Sequence, residues 1–196
     1  MPGELIPSFL FYCYVNGITP GPANLSSLSA SMNYGRRQAL KQWRGLFTGF
    51  FLDALAAAVV CALLGQAVGD HVRFLTWIGA AYIVWLAVHI YFSDSTEESE
   101  ADKNCNFWTG LLVQLTNVKV ILFCITALGS YVRAYTDSLP ALFLTACFLP
   151  FTGPVCNLAW LFAGVKLRGL FLRHRRLINT IIAVSLLLCA VNLLLH

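Results

Sequence analysis

Charge is scarce in this chain of 196 residues: Asp, Glu, Lys and Arg make up 11% of it, against 58% hydrophobic residues. Soluble domains carry about 25% charged residues, so a single water-soluble core is excluded and lipid is the solvent these residues require. Long polar segments are also missing. The longest connection between apolar runs, Ser93 to Asn106, is too short to fold by itself, which leaves no room for a separate soluble catalytic domain. The phosphate-binding pattern GxxxxGK[ST] is absent, so the chain does not hydrolyse ATP by that route. Neither HExxH nor GxSxG occurs, and Ser26, Ser27 and Ser29 have no histidine near them in sequence, which argues against an intramembrane enzyme. The seven cysteines contain no CxxC pair and no histidine lies at ligand spacing from them, so they read as small packing residues, not as a metal centre or disulfide framework. His71, His174 and His196 fall in loops or at the chain end, and His89 near an interface. The opening MPGE lacks the basic start of a cleavable signal, so the first apolar run is expected to stay as a helix.

What the chain does have is six apolar runs, at about 5–30, 45–67, 72–92, 107–132, 140–165 and 177–195. Each is long enough to cross a bilayer core, which takes about 20 residues. The expectation is an all-α, polytopic membrane protein of six transmembrane helices. They form one transporter-like domain over residues 1–196, with halves at about 1–93 and 107–196 joined by an acidic linker, 94–106. Three spans per half give the halves opposite orientation, an inverted topology. Ten of the 13 Lys and Arg residues lie in the first, third and fifth connections, whereas Arg73 and Arg133 lie on the other side and Lys119 lies within a run. Cationic residues are retained on the cytoplasmic side, so both termini are expected to face outward. Topology and anionic lipid explain the basic loops, and no nucleic acid partner is needed.

Two charges fall inside the hydrocarbon, Asp53 in the second run and Lys119 near the middle of the fourth. Each costs about 2.5–3.5 kcal/mol on insertion scales, so each should face the interior of the bundle. A structural ion pair between them is one reading; a role in transport is the other. The stretch ITPGPANLSS interrupts the first run. Pro20 and Pro22 remove two backbone donors, Gly21 lets the chain bend, and carbonyls around residues 16 to 18 lose their partners, while Asn24 adds an amide one turn on. The fifth run repeats the device with Gly153, Pro154 and Asn157. Broken helices at membrane depth either kink for packing or present half-helix ends to a small solute.

Taken together, TPGP followed by an asparagine, GFFLDA in the second run, FWTGLLVQLTNVK in the fourth and LINTIIAVSLLLC in the sixth resemble the lysine and homoserine exporter family of amino-acid efflux proteins. LTWIGAAYIVWLAVHI, NVKVILFCITALGSYV and CAVNLLL are similar to its branch that exports cysteine and O-acetylserine. The resemblance runs nearly end to end. It implies a secondary transporter of the bacterial inner membrane that moves a small amino acid outward, with no cofactor; homoserine, threonine, lysine or a divalent metal are the alternative cargoes. The family's usual Asn-Pro-Lys is here Asn117-Val118-Lys119, which keeps the lysine and is expected to remove a kink in the fourth helix; Ala23 stands where closer relatives often carry a second asparagine. A zwitterionic substrate needs a cation or amide donors for its carboxylate, and a carboxylate or carbonyls for its ammonium. Lys119 and the donors near Pro22 are candidates for the first; Asp53, Asn24 and the carbonyls near Asn16 for the second; small residues such as Ala56 would frame the side chain. A proton gradient is the natural energy source, with Asp53 as a carrier only if the opposing effects of burial and of the Lys119 charge leave it titratable. Homo-oligomerisation is left open.

Overall fold

The computed structural model describes residues 3–64 and 105–173 continuously, with single helical positions between 81 and 88 and between 177 and 191. Most of the third and sixth expected spans, the acidic linker up to residue 104, and all four histidines lie outside the described residues. Among the described residues all regular structure is helical, with short irregular connections such as 19–21, 105–106 and 136–138 between the helices. α1 covers Ile6–Ile18, α2 Pro22–Leu64, α3 Phe107–Leu115, α4 Val118–Leu128, α5 Leu139–Phe148 and α6 Gly153–Arg173. A π-helical turn at Gly129–Arg133 extends α4, and a 3-10 turn at Leu149–Phe151 joins α5 to α6. Two helices are long and apolar enough to cross a membrane, Pro22–Leu63 and Leu139–Lys166, and Phe107–Leu115 with Val118–Arg133 makes a third candidate as a broken span.

The basic stretch 31–44, expected as a loop, is helical instead. α2 reverses within it at Gly35, whose φ of 77° and ψ of 170° belong to glycine. The reversal is fixed by Gln42 Nε2, which donates to Ser26 Oγ at 2.7 Å. Sixteen residues along a straight helix would set them about 24 Å apart. The sequence hides this because Lys and Arg are good helix formers: they mark where hydrocarbon ends, not where the helix does.

The fourth span contains the second departure. Loss of the proline is expected to straighten it, yet α3 and α4 are bent by 61° at Thr116 and Asn117. Asn117 sits at φ −82°, ψ 89°, and its N–H donates to Gln114 O at 2.9 Å, three residues back where the α-helical pattern spans four. Thr116 Oγ1 donates to Leu112 O at 2.9 Å. Short polar side chains that compete for backbone groups break a helix without proline.

α2 packs on α3, α4, α5 and α6. At its crossing with α3 the two backbones touch: a Cβ on Gly45 would run into the Phe107 carbonyl, and one on Gly110 into the Gln42 carbonyl. Gly45 and Gly49 form the small-xxx-small spacing that permits such an approach in membranes. Phe9, Phe50, Phe123, Leu128 and Leu142 build the apolar core, together with Cys13, Cys61 and Cys124 as small buried residues. Of the six cysteines among the described residues, Cys13, Cys61 and Cys124 are buried, Cys105 and Cys156 half-buried and Cys147 exposed.

Candidate functional site

Three of the expected spans are interrupted, at 19–21, at 116–117 and at 149–152. Half-helices of 13, 9 and 10 residues precede the breaks, which at 1.5 Å per residue is about 14–20 Å, half of a bilayer core. The breaks gather round one pocket, of about 510 Å³ including its open mouth. The N-terminal ends of α2, α4 and α6 reach it with Gly21, Ala23 and Asn24; Asn117, Lys119 and Val120; and Gly153, Pro154 and Asn157. Asn16 and Gly17 at the C-terminal end of α1, with Leu46, Phe50, Gln114 and Phe123, complete the lining. Helix N-termini carry positive partial charge and C-termini negative, so the pocket has two electrostatic poles.

The carbonyls freed by the prolines are all taken up by side chains. Lys119 Nζ donates to Asn16 O at 3.2 Å, Thr19 O at 3.0 Å and Pro20 O at 3.4 Å. Asn24 Nδ2 donates to Gly17 O and Thr19 O, both at 2.9 Å, and Trp160 Nε1 to Ile18 O at 3.0 Å. The backbone expected to stand open for a substrate ammonium is therefore engaged by Lys119, the residue expected to meet the substrate carboxylate. Gly21 makes this approach feasible, since a Cβ there would meet Lys119 Cδ at 3.1 Å.

The two proline-broken motifs meet through their asparagines. Asn157 Nδ2 donates to Asn24 Oδ1 at 2.8 Å and to Ala23 O at 3.0 Å, and Ser27 Oγ donates to Asn157 Oδ1 at 2.6 Å. Both side-chain amides thus have partners on every N–H, and the pair clasps α2 to α6. Trp43 Nε1 donates to Pro154 O at 2.9 Å, tying α2 to the first turn of α6. Asn117 lines the pocket with only 2% of its surface exposed, and its Oδ1 has no hydrogen-bond partner among the described residues.

Asp53 and Lys119 are both buried, yet among the described residues they do not pair with each other; the salt bridge found there is Arg133–Asp137, at 2.6 Å. Asp53 stands behind the pocket wall, where Gln114 Nε2 donates to its Oδ2 at 3.3 Å. Of the ten candidates from sequence, Gly21, Asn24, Asn117, Lys119, Gly153, Pro154 and Asn157 line the pocket; Pro20 contributes its carbonyl to Lys119, Pro22 opens α2, and Asp53 is reached through Gln114. Ala56 is exposed on the outside of α2 and frames nothing. Gln114 is the residue that sequence reasoning overlooks: a glutamine within the apolar run FWTGLLVQL was the available signal.

Residues 16–196 match the family of LysE type translocators. The chain is 34% identical over 193 residues to the cysteine/O-acetylserine efflux proteins of Escherichia coli strain K12 and Shigella sonnei strain Ss046, a match covering 98% of this chain and 99% of each relative. No solved structure matches it.

Proposed function

The chain belongs to the family of LysE type translocators, and from that premise we propose that it exports small amino acids across the bacterial inner membrane, cysteine and O-acetylserine among them, in exchange for protons. Similarity to the two efflux proteins supports the substrates, and the pocket supports the chemistry. The observation that carries the reading is the pairing of opposite poles in one pocket: three helix N-termini and Lys119 against the C-terminal carbonyls of α1. A zwitterion fits such a pair. Its carboxylate goes to Lys119 and the N-terminal ends bearing Gly21, Pro22, Gly153 and Pro154. Its ammonium goes to the α1 carbonyls beside Asn117. Phe50, Phe123 and Leu46 provide the apolar wall for a short side chain. Asn24 and Asn157 hold the frame.

Asp53 is the proton carrier in this reading. It is the buried carboxyl among the described residues, and Gln114 links it to the pocket. Breaks in the first and fourth spans, one at Pro20 and the other at Asn117, are three spans apart, which supports halves of inverted topology that rock around the pocket. The Lys and Arg distribution supports termini on the periplasmic side.

Efflux of labelled cysteine, O-acetylserine, homoserine and lysine from loaded vesicles, with and without an imposed pH gradient, tests substrate and driving force together. The first two are expected to leave fastest, and faster with the gradient. Export of lysine or homoserine alone would reject the substrate assignment. Rates indifferent to the gradient would reject proton exchange.

A further inference from the structure

Lys119 occupies an unusual place for a cation. It lies in the first turn of α4, the end of a helix that repels positive charge. Its side chain leaves that end and reaches the C-terminal end of α1, where three carbonyls receive the ammonium at 3.0 to 3.4 Å. A primary ammonium has three N–H donors and no acceptor, and three backbone oxygens match it in number. The space is shaped for this group, since Gly21 offers no Cβ where the lysine chain passes. A fourth oxygen, the Asn117 Oδ1 that lacks a partner among the described residues, belongs to a residue lining the same pocket.

We propose that this carbonyl cage is a site for primary ammonium groups in general, that Lys119 fills it as a tethered stand-in, and that a substrate ammonium enters by displacing it. The inference deepens the amino-acid reading above and rests on it for the identity of the natural ligand. The exchange conserves charge. As the substrate ammonium takes the carbonyls of Asn16, Thr19 and Pro20, the lysine ammonium swings to the substrate carboxylate, and no buried cation is left without an anionic or carbonyl partner. A lysine that must be displaced also explains why these carbonyls can stay satisfied at membrane depth throughout the cycle. Selectivity follows from donor geometry: quaternary ammonium ions have no N–H to give, and a guanidinium offers a flat fork instead of a tripod.

The test is thermal unfolding of the purified protein in the presence of methylammonium, ethylammonium, tetramethylammonium or sodium chloride at equal ionic strength. In Lys119→Ala the cage has lost its tethered cation. Methylammonium and ethylammonium are expected to raise its midpoint saturably, by about 5 °C at saturation, while tetramethylammonium and sodium do not. Wild type, whose cage is filled, is expected to shift much less. Should Lys119→Ala not fold, Lys119→Gln keeps a donor near the cage and is expected to give a smaller shift of the same selectivity. Equal responses of variant and wild type, or a tetramethylammonium response as large as the primary amines give, would overturn the proposal. The readout is independent of export. A selective shift in Lys119→Ala while the wild type exports no amino acid leaves the cage standing and rejects the transport reading; export by the wild type without a selective shift in the variant does the reverse.

Discussion

A lysine in the middle of a membrane span can pair with an acid, snorkel to the interface or hydrogen-bond to protein. Lys119 takes the third course, and Asp53 is bonded by Gln114 instead of by the lysine. The two charges therefore make separate contributions. Lys119→Met takes the lysine donor from the carbonyls of Asn16 and Pro20, while Thr19 O keeps Asn24 Nδ2, and is expected to destabilise by about 1–3 kcal/mol. Asp53→Asn keeps an oxygen for Gln114 and is expected to change stability by less than about 1 kcal/mol. Having no shared hydrogen-bond partner among the described residues, the two changes should add in the double variant to within about 0.5 kcal/mol, as measured by thermal or denaturant unfolding. An ion pair would give the opposite pattern, with the double variant more stable than the worse single one. In export assays each single variant and the double variant are expected to be inactive. Lys119 and Asp53 are legible in the sequence because a charge inside an apolar run stands out. Gln114 is not, because its importance depends on α2 and α3 touching at Gly45 and Gly110, 65 residues apart in the chain.

In the proposed reading the helix breaks carry the function, and they differ in how they are written. Those at Pro20 and Pro22 and at Pro154 announce themselves through the missing donors. The one at Asn117 does not, since it arises from Thr116 and Asn117 competing for backbone partners, and a sequence rule keyed to proline expects a straight helix there. The turn at Gly35 is hidden in the same way: one glycine in the left-handed region reverses a helix that the residues on either side are content to continue. Replacing Pro20 and Pro22 together by Ala restores two backbone donors and lets α1 run on toward α2. The α1 carbonyls would then bond within the helix and release Lys119. Export is expected to fall to background while membrane insertion, judged by protease protection and expression level, stays normal. Normal export by the inserted double variant would make the break a packing kink.

At the scale of the whole molecule, composition identifies the solvent and the run lengths identify spanning helices, so the all-helical membrane architecture is readable from the residues alone. The pocket is not readable in that way. It requires the ends of α2, α4 and α6 to converge on the end of α1, and that convergence depends on contacts such as Asn24 with Asn157, separated by 133 residues. The echo of GPAN by GPVCN hints at it only because both motifs place an asparagine within about a turn of a broken helix start. In the proposed reading this pocket, with Lys119 in it, holds the exported amino acid. Equilibrium binding of labelled O-acetylserine to purified wild type and Lys119→Met, both verified as folded by their unfolding transitions, tests it most directly. Wild type is expected to bind saturably and Lys119→Met at least about tenfold more weakly, the loss of one charge-assisted hydrogen bond. Binding of equal affinity by the two proteins would contradict the claim.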